Sequence, residues 1–340
     1  MHDDLLKYYI QEFLSGSDVT LADTGPLFDA MIGSNDQVLL VDTLAAWNKK
    51  GVGEDELFEF ASLMRRRMKR IGTGHGAAVD IVGTGGSSSK SFNVSTAAAF
   101  IVAGAGVAVA KHGNRAATSS SGSSDVLSVL GIEVDVDPSV AEKHLNENGI
   151  CFMFAPRFHS LSPSLAAARR TVGRPTIFNN LGPLCNPASA PHHVIGVWDE
   201  ELVGKTANVL LRLGAKRSWV VNGASGLDEI ALKGRTKIAE VNNDSVSRFE
   251  ISASDFGVSG DGSDLPWDCS AEESAAVIRS LLNNEMIDRD TEQLVFINAA
   301  AAIYVAGKAS DLIEAYNIAN ESVRSGEALA KLNLLVTETK

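Results

Sequence analysis

Apolar positions recur at three- and four-residue steps through LLKYYIQEFL, PLFDAMI, QVLLVDTLAAW and EDELFEFASLMRRRM, all within about the first seventy residues. That spacing lays one apolar stripe along each helix. Polar breaks (SGSD, IGSND and KKGVGED) separate the segments, and Ser34-Asn35-Asp36 and Gly53-Glu54-Asp55 carry helix-start signals. From residue 78 the period changes. Short β-branched runs (VDIV, VAVA, ICFMFA, HHVIGVW, SWVVNG, TKIAEV) alternate with helical patterns such as STAAAFIVAGAG, SSDVLSVLG, SVAEKHLNENG and ELVGKTANVLLRLG. The alternation predicts an α/β fold with a mostly parallel central sheet and helices on its faces. The tail, from Ala271 to about Val336, is helical again and alanine-rich. The expected architecture is a small all-helical domain over residues 1–72 and a larger α/β domain after it.

Length and composition narrow this picture only a little. A chain of 340 residues, 45% hydrophobic and 21% charged, suits one large or two modest globular domains. Its formal net charge of −12 argues against a general nucleic-acid-binding role, which needs a basic surface. An anionic substrate would need local donors or a metal ion against that background. The basic run RRRMKR at 65–70 reads as the cationic last turn of a helix. Cys151, Cys185 and Cys269 are too few and too scattered for a disulfide framework or a zinc site. The N-terminus is acidic where a signal peptide would be basic, and no apolar stretch approaches a membrane span, so a cytoplasmic location is expected.

Two loops carry the candidate chemistry. GTGGSSSKSFNVST, residues 83–96, holds three glycines and seven hydroxyls between a predicted strand and a predicted helix. Gly83, Gly85 and Gly86 would tolerate positive φ or close approach of a ligand to the backbone. Ser91, Asn93, Ser95 and Thr96 would stand at a helix start, where free N–H groups and the dipole favour an anion; the bland alternative is a Gly/Ser turn with Ser95 or Thr96 as an ordinary N-cap. Hydroxyls there can also ligate Mg²⁺. KHGNRAATSSSGSSD, residues 111–125, sits at the next such junction and packs Lys111, His112, Asn114 and Arg115 among five serines and a threonine. Two loops of this kind point to a substrate with more than one phosphate. Lys111 and Arg115 would supply charge-assisted contacts, and His112 a structural donor rather than an acid or base.

GTGG…FNVSTAAAF, KHGNRAATSSSGSSDVL, FNNLGPLCNP and GLDEIAL resemble the diagnostic segments of the anthranilate phosphoribosyltransferase family. The resemblance continues in order to INAAAAIYVAGKA and SGEALAKL, nearly the whole chain. It implies a fold of the nucleoside phosphorylase and phosphoribosyltransferase type. The implied reaction transfers a ribose 5-phosphate unit from phosphoribosyl pyrophosphate to the amine of anthranilate, with Mg²⁺, in tryptophan biosynthesis. On that resemblance Gly83, Gly86, Ser87 and Ser91 touch the donor, as does the segment Asn93, Val94, Ser95 and Thr96. Lys111, His112, Gly113, Asn114, Arg115, Ala116, Ala117, Thr118 and Ser119, with Ser123, form the second donor loop. Gly83, Asn114 and Arg169 border anthranilate, Arg169 at its carboxylate; Ser95, Asp228 and Glu229 hold the metal. Residues 162–186 would join the helical domain, leaving 73–161 and 187–340 as the α/β domain, and a homodimer through the helical domain is expected.

Elementary chemistry agrees at GLDE. Asp228 and Glu229 would repel a pyrophosphate unless a cation stood between, and Mg²⁺ takes ligands from one or two carboxylates plus substrate phosphates. An arylamine needs little deprotonation, and no His/carboxylate dyad stands out, so catalysis by positioning and electrostatics is expected, with Lys111 and Asn114 contributing. His159 reads as a hinge or pocket-wall donor and His192-His193 as structural. Three positions depart from the family pattern: Ser87 for an acid, Ser120 for a lysine, and Ser160 for the proline after His159. The competing readings are a related transferase with another aromatic acceptor and a non-catalytic nucleic-acid-binding paralogue. The latter would lose Asp228-Glu229 and gain a basic groove.

Overall fold

The computed structural model describes residues 2–86, 92–116, 120–260, 262 and 265–336. Four helices open the chain: α1 (His2–Ser15), α2 (Leu21–Gly33), α3 (Gln37–Lys50) and α4 (Glu54–Arg67). The Asp36 carboxylate starts α3 by accepting from Leu39 N at 3.0 Å, the N-cap role its position suggests. The apolar stripes meet around Leu6, Leu27, Leu40, Trp47 and Phe60. Phe13 stacks on Trp47 at 4.8 Å, and Phe60 meets Trp47 edge-on at 5.0 Å.

One carboxylate knits this bundle together. Glu56 is buried, accepts from Val19 N and Gly53 N at 2.8 Å each and from Trp47 Nε1 at 3.3 Å, and pairs with Lys50 at 2.7 Å. Removing one partner of a buried ion pair leaves the other charge uncompensated. We therefore expect Glu56→Ala to lower unfolding free energy by about 3–5 kcal/mol; an unchanged urea midpoint would contradict this role.

The second part of the chain alternates as the periodicity predicts. It runs β1 (Val79–Gly83), α5 (Val94–Gly104), β2 (Val109–Gly113), α6 (Ser123–Val129), α7 (Pro138–Asn148) and β3 (Ile150–Phe154). Then come α8 (Ala155–Phe158), α9 (Pro163–Val172), α10 (Ile177–Leu184), β4 (His192–Gly196), α11 (Glu200–Arg212) and β5 (Arg217–Asn222). The hairpin β6 (Thr236–Asn242) and β7 (Ser245–Ile251) precedes α12 (Ala271–Leu282), α13 (Arg289–Val305), α14 (Leu312–Arg324) and α15 (Glu327–Leu335).

Among the described residues the strands form one seven-stranded sheet in the order β3-β2-β1-β4-β5-β6-β7. The first five are parallel and the last two antiparallel. Strand order reverses between β1 and β4, which opens a crevice beyond their C-terminal ends. One face is covered by α5 and α13, whose alanines allow close approach to the strands. On the other face Ile195, Val197 and Val220 share a cluster with the N-terminal helices, and Leu165, Ala168, Ile177 and Leu181 from α9 and α10 bury in it too.

Several local expectations shift. The VAVA run predicts a strand that ends at Ala110, yet β2 runs on to Gly113, so Lys111 and His112 are buried strand residues rather than loop residues. The Ala-rich helix starts from Asn93, not Ser95 or Thr96. β7 has no counterpart in the sequence reading, because its side chains are mostly exposed and lack an apolar alternation. Of the RRRMKR run, Arg65 Nε donates to Leu184 O at 2.7 Å and its Nη1 to Leu213 O at 3.1 Å, so it serves the ends of α10 and α11. Arg67 pairs with Asp29. His192 and His193 lie inside β4 with Nδ1 against Arg217 O at 3.1 Å and Ser218 Oγ at 3.2 Å. Among the described residues no helix is long and apolar enough to cross a membrane.

Candidate active site

The crevice at the strand-order reversal holds a cavity of about 340 Å³. Its floor is the C-terminal end of the sheet and its far wall comes from α4, α9 and α10, through Met64, Ala166, Arg169, Phe178 and Pro183. Gly83 and Gly196 are register partners on β1 and β4. A Cβ at Gly83 would lie 2.6 Å from Asp228 Oδ2, and one at Gly196 would overlap the Asp228 carbonyl oxygen. Paired glycines at the reversal thus let the segment carrying Asp228 cross the strand ends in contact with the backbone. Gly83 and Gly86 serve close approach, and only Gly85 of the three has a positive φ, 70°. Gly86 abuts Trp198 and Pro175, where a Cβ would sit 2.5–2.6 Å from ring atoms.

Three elements meet at the polar end of the cavity. Gly85 N donates to Asp228 Oδ2 at 2.9 Å. Lys111 reaches under the end of β1, donating to Ile81 O and to Ser95 Oγ at 3.1 Å. Burial pushes its ammonium down, while Asp80 and Glu229 oppose that shift. Beneath it, Asp80 accepts from His112 N at 3.2 Å and Asn186 Nδ2 at 2.7 Å. Asn93 Nδ2 donates to Ser121 Oγ at 2.9 Å, tying the first loop to the second. Asp125 closes the second loop on itself: its Oδ2 accepts from Ala116 N and Gly122 N at 3.0 Å each, and Arg115 Nη1 pairs with it at 3.2 Å.

The two histidines of the cavity wall stand edge to face, 5.0 Å apart. His112 Nδ1 faces Gly182 O at 3.0 Å, so that nitrogen carries the proton and Nε2 keeps its lone pair. Burial pushes His112 down to about 3, helped by His159 and Lys111, and pushes His159 down to about 4. His193, in β4, falls to about 3 for the same reason. Both cavity imidazoles are therefore neutral at neutral pH, as a structural or wall role requires.

These buried imidazoles set a pH dependence of stability. Each folded value lies below the ordinary histidine value of about 6.5, so the unfolded chain takes up protons that the folded one refuses. Their stabilisation is complete above about pH 6.5 and is lost as pH falls, on the order of 2 kcal/mol for each imidazole by about pH 5. Asp80, lifted by burial to about 6 against the pull of Lys111, acts in the opposite sense, one group against three. Urea melts should show stability falling between neutrality and pH 5; a flat profile would contradict the neutral, buried assignment.

At the other end of the cavity Arg169, on α9, lies over the Phe178 ring at 5.3 Å. Burial pushes its guanidinium down to about 10, and its Nε has no hydrogen-bond partner among the described residues. A desolvated cation of this kind favours a bound anion. Met64, Leu161, Ala166, Phe178 and Pro183 line the same end with apolar surface.

Most of the residues expected from sequence converge here. Gly83, Asn93, Ser95, Lys111, His112, Gly113, Asn114, Arg115, Ala116, Ser123, Arg169, Asp228 and Glu229 all line the cavity. Gly86, Val94 and Thr96 do not: Gly86 abuts Trp198 and Pro175, and the side chains of Val94 and Thr96 are fully buried in α5 behind the loop. Ser87, Ser91, Ala117, Thr118 and Ser119 lie outside the described residues. Ser120, one of the departures, donates to Asp268, which also lines the cavity. Sequence reasoning missed Gly196, Asn179 (Nδ2 to Thr84 O, 3.1 Å) and the apolar wall. Only the FNNLGPL segment signalled part of that wall.

Residues 75–329 match the glycosyl transferase family, a/b domain. The anthranilate phosphoribosyltransferase of Petrotoga mobilis is 39% identical over 336 residues, covering 98% of this chain and 97% of that protein. That of Moorella thermoacetica is 40% identical over 334 residues, covering 98% of each. The chain belongs to the anthranilate phosphoribosyltransferase family. Among solved structures of the family, the Thermus thermophilus protein superposes with a TM-score of 0.86 at 34% identity, over 96% of this chain and 98% of that one. The Saccharomyces cerevisiae protein in complex with PRPP and Mg superposes with a TM-score of 0.86 at 26% identity, over 98% and 97%. The α/β fold with a helical N-terminal part is thus the family's own.

Proposed function

We propose that this protein transfers the 5-phosphoribosyl group of phosphoribosyl pyrophosphate to the amine of anthranilate, releasing pyrophosphate, in tryptophan biosynthesis. The observation that carries the reading is one cavity with two unlike ends. At one end the glycine and hydroxyl loops surround Lys111 and the Asp228-Glu229 pair. At the other, Arg169 stands over an apolar wall, its Nε without a partner among the described residues. The first end suits a phosphorylated sugar, the second a flat aromatic carboxylate. We take the cleft to lie between a helical domain (1–72 with 162–186) and the α/β domain (73–161 with 187–340).

The donor set fits magnesium. Asp228 and Glu229 offer hard carboxylate oxygens to the cavity, and the Ser95 hydroxyl, which accepts from Lys111 Nζ, lines it too. Two carboxylates with a hydroxyl would leave further ligand positions to phosphate oxygens and water. When bound, the ion neutralises charge building on the departing pyrophosphate.

The chain's own residues do the rest. Lys111, held by Ile81 O and Ser95 Oγ, places a fixed positive charge under the donor loops. Asn114, which lines the same end of the cavity, offers a side-chain amide to phosphate oxygens. Arg169 and the apolar wall orient anthranilate so that its amine faces the anomeric carbon, and the wall excludes water. Neutral His112 and His159 shuttle no proton; the arylamine attacks in its free form and loses its proton afterwards to solvent or pyrophosphate. A cytoplasmic homodimer joined through the first helices completes the reading. Leu14, Leu21 and Val38, exposed on α1 to α3, are its apolar support.

The test is fluorimetric. Protein mixed with phosphoribosyl pyrophosphate, Mg²⁺ and anthranilate should consume anthranilate fluorescence as the product forms. Donor binding with no loss of that signal would point to another aromatic acceptor. Binding of nucleic acid in place of the donor would favour the non-catalytic reading.

A further inference from the structure

Beyond its polar first turns, α13 is apolar with one carboxamide set in it. From Leu294 to Ile303 it reads LVFINAAAAI, every residue buried, and Asn298 is its only strongly polar side chain. Burying an amide without partners costs several kcal/mol, about 4–8 on the cyclohexane scale, so its hydrogen bonds reveal what it does. Asn298 Oδ1 accepts from Ile230 N at 2.9 Å. Its Nδ2 donates to Ile230 O at 3.1 Å and to Leu294 O at 2.9 Å within its own helix. One side chain thus holds both backbone groups of the residue that follows Asp228-Glu229, as a neighbouring strand would.

The opposite side of that segment is held by backbone. Gly223 N donates to Leu227 O at 2.8 Å, a Cβ at Gly223 would lie 2.5 Å from Glu229 O, and Gly196 leaves room for the Asp228 carbonyl. Ala231 N is held by Thr236 Oγ1 at 2.9 Å. The four residues Leu227–Ile230 are therefore clamped between the ends of β4 and β5 and a single side chain of α13.

We propose that Asn298 is a positioning residue that fixes where the Asp228 and Glu229 carboxylates stand for the divalent cation. The inference rests on the metal reading given under Proposed function. Asn298 touches neither substrate nor metal and acts through the Ile230 backbone. Residues that orient metal ligands typically change metal affinity by about 10–100-fold when replaced. A residue that merely packs α13 on the sheet would change stability and leave that affinity alone.

The experiment measures protein-bound Mn²⁺ by equilibrium dialysis and electron paramagnetic resonance, in the presence of phosphoribosyl pyrophosphate, alongside thermal stability and the KM for anthranilate. Asn298→Ala should weaken Mn²⁺ binding by about 10–100-fold and leave the anthranilate KM unchanged. Asn298→Asp, isosteric and still able to accept from Ile230 N, loses both donated bonds. It should weaken Mn²⁺ in the same direction, and it stands in should the alanine protein not fold. Wild-type Mn²⁺ affinity in a folded variant, with only its melting temperature lowered, overturns the inference and leaves the proposed function intact. Failure of the wild-type protein to bind Mn²⁺ with the donor overturns the metal reading and this inference with it.

Discussion

Asp228→Asn combined with Glu229→Gln is expected to lower kcat/KM by about 10²–10³-fold and to flatten the response to added Mg²⁺. The magnitude is that of removing a preorganised electrostatic contact to developing charge, about 2.7–4 kcal/mol. The exchange is nearly isosteric, so the Gly85 N contact to position 228 retains an acceptor, and the clamp at Gly196 and Asn298 involves backbone rather than the exchanged carboxylates. The loss should therefore fall on the metal titration and not on folding. Anthranilate binding, at the other end of the cavity, should be spared. A double variant whose activity rises with Mg²⁺ as the wild type's does would remove these carboxylates from the reaction.

Arg169→Ala is expected to raise the KM for anthranilate by roughly tenfold to a hundredfold while leaving that for phosphoribosyl pyrophosphate unchanged. A hydrogen bond to a charged group contributes about 1.5–3 kcal/mol, which spans that range. The free protein supports a split of this kind. Arg169 Nε has no hydrogen-bond partner among the described residues, so its removal orphans no protein group at that atom, only the ligand's. Arg169→Lys should recover part of the effect, since an ammonium keeps the charge but not the fork that matches a carboxylate. Equal increases in both KM values would mean that Arg169 shapes the cleft rather than the acceptor site.

The fold was legible where a pattern had one physical cause. The period-3.6 stripes of α1 to α4 and the β-branched runs of β1 to β6 predicted their elements because burial alone dictates them. β7 escaped because an exposed edge strand has no apolar face to declare it. The strand extension to Gly113 escaped because Lys111 and His112 read as loop residues. Their burial depends on Asp80, Gly182 and Ser95, partners distant in sequence. The candidate site was legible as three short motifs, but what joins them was not. The Gly83–Gly196 register, the Asn93–Ser121 bridge and the Asn298–Ile230 clamp are tertiary facts. Val94 and Thr96 show the converse: a motif match carried them into the site while helix geometry turned their side chains into the core. The asparagine in INAAAAIYVAG is a further signal in the sequence, since an apolar, alanine-rich helix buries a carboxamide only where partners await it.

Where the donor lodges decides whether these loops and the acidic pair form one site. Crystals soaked with phosphoribosyl pyrophosphate and Mn²⁺ should show the sugar phosphate between Gly83–Gly86, Lys111 and Asp228, with an anomalous peak against Asp228 and Glu229. Density for the donor away from these residues, with no manganese beside the acidic pair, would contradict it.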